Sequence, residues 1–122
     1  MGDGFRELRV WQLAKDLAVA IYRITATGPL ARDLGLRDQM RRAAVSIPSN
    51  IAEGDERDTN KDSVRFLYIA KGSLAELRSQ LEIAHDVGLL SSEPYTMLEA
   101  KCAVLGRMLG ALIKTRSATP HP

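Results

Sequence analysis

The sequence predicts an all-α protein, an antiparallel up-down-up-down four-helix bundle whose second helix is kinked by a proline. Three observations carry that prediction. Apolar residues recur at steps of three and four in four long segments. Short breaks containing Gly, Pro, Ser or Asn separate the segments, and short connections favour antiparallel neighbours. No stretch shows the strict alternation of a half-buried strand. With 122 residues, 45% of them hydrophobic and 26% charged, one folded domain over 1–122 is expected rather than a disordered or fibrous chain.

The first helix is expected over 8–26, where Trp11, Ala14, Ala18, Ile21 and Thr25 form a stripe that Leu17 and Ile24 widen. Gly28 and Pro29 stop it, since glycine accepts a left-handed cap and proline cannot continue the ladder. The second helix is expected over 35–53, with Met40, Ala43, Ala44, Ile47 and Ile51 facing inward. Pro48 lies inside it and removes a backbone donor, which predicts a kink between Ala44 and Pro48. Ser46 and Ser49 are placed to satisfy the freed backbone groups.

A polar run from Glu53 to Asn60 forms the next connection and ends in good N-capping residues. The third helix, expected over 61–87, carries one stripe of Phe66, Ala70, Ser73, Leu77, Ala84 and Val87 and another of Leu67, Leu74 and Leu81. Gly88 to Pro94 reads as a glycine stop, a tight loop, a serine cap and a first-turn proline. The fourth helix is expected over 94–113, with Leu98, Cys102, Leu105, Leu109 and Leu112 inward and Met97, Val104, Met108 and Ala111 broadening the face. The tail 117–122 is expected to be disordered.

Cys102 lies in an apolar stripe and has no second cysteine to pair with, so it reads as a small buried hydrophobe in a reducing compartment. The stretch from Met1 to Arg6 has no apolar signal core, and Arg6 stands where a myristoylation motif needs Ser or Thr. Lys101, Arg107 and Lys114 interrupt the most hydrophobic stretch well short of the ~18 apolar residues of a membrane span. A cytoplasmic protein without a membrane partner is expected.

The net charge of +2 hides segregation: residues 1–50 carry +3, 51–93 carry −4 and the remainder +3. Such a pattern suits either a polyanion or a complementary copy of the same chain. Arg37, Arg41 and Arg42, with Arg32 and Arg57 nearby, form the densest basic group. Guanidinium groups grip phosphate oxygens bidentately and release counterions, so Arg32, Arg37, Arg41 and Arg42 are candidate nucleic-acid contacts. The competing structural reading pairs Asp38 with Arg42 and neutralises other arginines with Asp55, Glu56 and Asp58. Asn50 and Glu53, beside the kink, are candidate register or interface residues.

Other chemistry finds no support in the residues. Glu82-Ile83-Ala84-His85 has the spacing of half a di-iron site, but the second half and further carboxylates are missing, so no metal is expected. His85 reads instead as a solvated side chain favoured by a helix C-terminus. No nucleophile has a base nearby in sequence and no glycine-rich phosphate loop occurs, so no catalytic residue and no cofactor is expected. Gly72, Gly106 and Gly110 lie within helices, where they read as close-packing devices. Aromatics at 5% argue against a base-stacking platform, and Trp11, Phe66 and Tyr68 read as core or interface anchors.

The segments Phe5 to Gln12, Asp38 to Gly54 (DQMRRAAVSIPSNIAEG) and Phe66 to Leu77 (FLYIAKGSLAEL) resemble the bacterial four-helix-bundle proteins named after 23S rRNA intervening sequences. The resemblance spans nearly the whole chain and is most specific in the middle segment. It implies a ring-like homopentamer and kinship with the accessory variability determinant of diversity-generating retroelements, whose basic surface points to nucleic acid. Arg37 departs from the family pattern, where a small hydroxyl residue is frequent, and adds a positive charge. The expected function is a non-enzymatic homo-oligomeric scaffold that binds RNA or DNA through a basic surface. The alternative is a protein-binding adaptor with no nucleic-acid role.

Overall fold

The computed structural model describes residues 4–118. A 3-10 turn, Gly4–Glu7, leads into α1 (Arg9–Ile24), a short α2 (Gly28–Arg32), α3 (Leu34–Asp55), α4 (Asn60–Asp86) and α5 (Ser92–Ala118). The four long helices are those the periodicity predicts. No strand occurs among the described residues.

Helix α1 ends at Ile24 with Thr25 as its cap, ahead of Gly28-Pro29, which open a new helix instead of stopping the first. Gly28 takes a positive φ of 73°, and Pro29 then starts a new helix, because its fixed φ suits a first helical turn. The buried Leu30 anchors this extra turn to the core. Downstream, Asp33 and Thr59 cap α3 and α4 by accepting from Leu36 N (3.1 Å) and Asp62 N (3.2 Å). Gly88 has φ +85°, and the Leu89 amide returns to the Ala84 carbonyl at 2.8 Å, which closes α4.

Helix α3 packs against α1 and α4, and α5 closes the bundle against α4 and α1. The cyclic order is therefore α1, α3, α4, α5, with α1 diagonal to α4. Connections of only a few residues, 56–59 and 87–91, force antiparallel neighbours. The core runs through Ala14, Leu17 and Ile21, Met40, Ala44, Ile47 and Ile51, Leu67, Leu77 and Leu81, and Leu105 and Leu109.

Sequence and structure differ at the edges of the stripes. On α4 the core stripe is Leu67, Ala70, Leu74, Leu77, Leu81 and Ala84. Phe66 and Ser73 are half-buried, and Val87 is 63% exposed. On α5 Ile113 rather than Leu112 closes the core, while Met97 and Val104 face out. A helix in a four-helix bundle covers only about three positions in seven, so the outer residues of apolar faces this broad stay exposed on the chain.

The expected end of the last helix is corrected: α5 continues past Ile113, through Ser117 to Ala118. Arg116 holds it there, donating to Ser63 Oγ and, at 3.2 Å, to Asp55 Oδ1, so that α5 is tied to α3 and α4. The rest of the predicted tail, 119–122, lies outside the described residues.

Helix α3 continues through Pro48, which leaves the Ala44 carbonyl without its usual helical donor. Ser46 does not serve that backbone. Its hydroxyl meets Ser73 Oγ at 2.8 Å, a link from α3 to α4. The glycines also redistribute. A Cβ on Gly54 would lie 3.0 Å from the Ser63 carbonyl oxygen and 3.4 Å from Phe66 Cβ, so Gly54 is where α3 and α4 approach most tightly among the helical glycines. Gly106 faces Leu74 Cδ2 at 3.5 Å, but nothing lies within 4 Å of a Cβ placed on Gly72 or Gly110, which are not packing devices within the chain.

Cys102 is fully buried on α5, and burial pushes its thiol up to about 12. Thiolate is the reactive form, so the native protein should resist a disulfide-exchange reagent at pH 8 and react fully in denaturant. Fast native labelling would contradict the packing. The linkage sign follows: unfolded chains lose this proton near 9 while folded ones keep it to about 12, so Cys102 removes stability as pH rises through that window. Cys102→Ala should flatten that part of the alkaline stability curve.

Candidate functional site

The four arginines singled out by sequence do not act alike. Arg41 is spent inside the fold: its Nε donates to Thr25 Oγ1 at 2.8 Å, its Nη2 reaches the Tyr22 carbonyl at 3.4 Å, and its Cζ lies 4.5 Å from the Tyr22 ring centroid. Thr25 is fully buried and donates in turn to the Ile21 carbonyl at 2.7 Å. Arg41 therefore staples α3 to the C-terminus of α1, where a cation suits the helix dipole. Arg37 Nε contacts Asp38 Oδ1 at 3.0 Å, and its Nη1 donates to the Ala31 carbonyl at 3.3 Å. The expected Asp38–Arg42 pair is thus replaced by Asp38–Arg37, because Arg37 reaches back to the α2 carbonyl past its own neighbour.

Arg32 and Arg42 are exposed, and neither has a side-chain hydrogen bond or ion pair among the described residues. Asn50 donates to the Ser46 carbonyl (2.8 Å) and Ser46 Oγ (3.0 Å), which orients the hydroxyl that bridges to Ser73. It belongs to the α3–α4 contact. Glu53 sits apart, paired one turn on with Arg57 at 3.1 Å, while Arg57 lies over the Phe66 ring at 4.4 Å. Asp55, expected to neutralise a neighbouring arginine, holds Arg116 of α5 instead.

Two grooves on opposite edges of the bundle gather charge, one around an apolar floor and the other around a single exposed isoleucine. The α1/α3 groove has Val19, Tyr22 and Val45 on its floor and Lys15, Arg23, Arg41 and Arg42 along it, against Asp38 alone. Tyr22 is 45% exposed there. The α4/α5 groove holds Ile83, 51% exposed, with Ser79, Glu82, Asp86, Arg78 and Glu99. Arg78 Nε donates to Glu99 Oε1 at 3.0 Å, and that hydrogen bond raises the guanidinium above its ordinary value, keeping it charged. With that pair internally neutral, Glu82 and Asp86 set the sign. A third groove, between α1 and α5, is mainly apolar, with Leu13, Ala20, Ile24, Met97 and Val104.

His85 is held at the turn into α5. Its ring stacks on Tyr95 at 4.5 Å, Nε2 lies 3.2 Å from Ser92 Oγ, and Nδ1 lies 3.4 Å from Asp86 Oδ1. Desolvation, helped by Glu82, raises the Tyr95 phenol. The Ser92–His85–Asp86 order superficially matches that of a hydrolytic triad, but Asp86 is mostly exposed and His85's immediate chain neighbour, so the carboxylate is solvated rather than buried behind the imidazole as such a triad needs. The cluster works as a staple between helix ends. No group of three or more His, Cys, Asp or Glu able to hold a metal is present among the described residues.

Sequence periodicity missed the grooves because Val19, Tyr22, Val45 and Ile83 fall outside the core stripes. The available signal was the segregation of charge along the chain.

Open, shallow, charged grooves on a close-packed four-helix core mark a small helical-bundle domain. The chain belongs to the 23S rRNA-intervening sequence protein family, whose model matches residues 6–111. Among solved structures it is similar to a protein of unknown function from the S23 ribosomal protein family of Bacteroides thetaiotaomicron. The two share 22% identity over 86% of this chain and 98% of that one, with a TM-score of 0.77, a likeness in fold. No curated protein matches the chain. No helix among the described residues is long and apolar enough to cross a membrane.

Proposed function

We propose that the chain is a non-enzymatic, cytoplasmic, homo-oligomeric scaffold. The observation that carries this reading is the set of apolar side chains left at the floors of the grooves, Tyr22, Val45 and Ile83 among them. Apolar patches rimmed by charge are the usual form of a protein-binding surface. Five subunits is the number the family resemblance implies. Sedimentation velocity at tens of micromolar should give a discrete species larger than a monomer, and a monomer throughout would sink the reading.

A second activity, weak and sequence-independent binding of RNA or DNA, is favoured by the exposure of Arg32 and Arg42. Arg37 and Arg41 contribute less, being engaged within the protomer. Fluorescence anisotropy with a structured RNA should show binding that weakens steeply with salt and weakens further in R32A/R42A. Binding unchanged by that substitution, or absent at low salt, would leave a protein-binding adaptor with no nucleic-acid role as the better description.

A further inference from the structure

We propose that the copies join head to tail, the basic α1/α3 groove of one docking on the acidic α4/α5 groove of the next. This rests on the homo-oligomeric reading above and specifies its interface. Three observations lead to it. First, each groove exposes apolar surface among charges: Val19, Tyr22 and Val45 beside Arg23 and Arg42 on one edge, and the single residue Ile83 among Glu82, Asp86 and other polar side chains on the other. Second, the signs are opposite once internal pairs are set aside, Asp38 being held by Arg37 and Glu99 by Arg78. Third, the cyclic helix order puts the two grooves on opposite edges of the bundle.

Electrostatics then select among pairings. Two α1/α3 grooves face to face would oppose cations, and two α4/α5 grooves would oppose carboxylates, so both two-fold pairings are disfavoured. The heterologous pairing seats an aromatic and a valine against an isoleucine inside a rim of matched charges, the anatomy of a protein interface. Because every copy carries both halves, the same contact repeats from copy to copy and closes into a ring where the rotation allows.

The test is a charge exchange read by sedimentation velocity at low salt, with circular dichroism confirming that each variant stays helical. R23E/R42E reverses one rim and E82K/D86K the other. Each alone should raise the dissociation constant at least roughly tenfold. The chain carrying all four changes restores both the complementarity and the net charge of +2, and it should reassemble. K61E/K114E, outside both grooves, should assemble as the parent does. The inference is overturned if either rim reversal leaves assembly intact, if the four-fold variant stays dissociated, or if the parent associates only when RNA is added. A parent chain that is monomeric removes the scaffold reading itself, whereas a parent that assembles regardless of both reversals removes only this interface.

Discussion

Leu77→Ala is expected to cost about 2–5 kcal/mol of unfolding free energy. Leu77 is fully buried on α4, the helix that packs against both α3 and α5. Leu74 and Leu81, one turn to either side on the same inward stripe, are themselves buried, so little can move in to fill the space and the cavity adds to the lost transfer free energy. Urea denaturation at fixed protein concentration gives the value directly. Val87→Ala, ten residues on at the C-cap just past the end of α4 and 63% exposed, should fall within about 0.5 kcal/mol of the parent. If the two substitutions cost the same, α4 is not seated in the bundle as described.

Gly54→Ala is the second large effect, and its sign runs against helix propensity. Glycine inside a helix is worse than alanine by up to about 1 kcal/mol, so an unpacked site would gain stability. At Gly54 the new methyl would meet the Ser63 carbonyl oxygen at 3.0 Å. That oxygen belongs to the α4 backbone and cannot rotate away as a side chain would. A net loss of about 1–3 kcal/mol is expected as the helices are forced apart. Gly72→Ala provides the contrast, since nothing lies within 4 Å of its Cβ position, and a gain of about 0.5–1 kcal/mol is expected. Thermal melts of the two variants should move in opposite directions. A stabilised Gly54→Ala would mean that α3 and α4 are farther apart than the structure has them.

The arginine cluster shows how far a linear pattern can lead and where it stops. Spacing correctly marks Arg37, Arg41 and Arg42 as a concentrated basic group on α3, but it does not reveal that the Tyr22 carbonyl and Thr25 hydroxyl wait for Arg41 across the helix boundary. Those partners lie 16 and 19 residues away in sequence, and only the packing of α1 on α3 brings them into reach. Likewise Asn50 reads as a polar residue beside a proline, and its link to Ser73 through Ser46 exists only because α4 returns alongside α3. By sequence Gly54 reads as part of the polar connection Glu53 to Asn60, yet α3 extends through it to Asp55.

By itself the sequence determined the number of long helices, their inward stripes and the order in which short connections fold them back. These follow from a period of 3.6 residues and from local capping and turn chemistry, which act over a few residues. Its membership in a family was also legible in the segments around Met40 to Gly54 and Phe66 to Leu77. Tertiary structure alone decided which arginines remain available, which glycine sets a helix spacing, and that charges scattered along the chain collect into two grooves of opposite sign. Those properties depend on distances between residues far apart in the chain, and a periodic pattern fixes which side of a helix faces inward without fixing what it meets there.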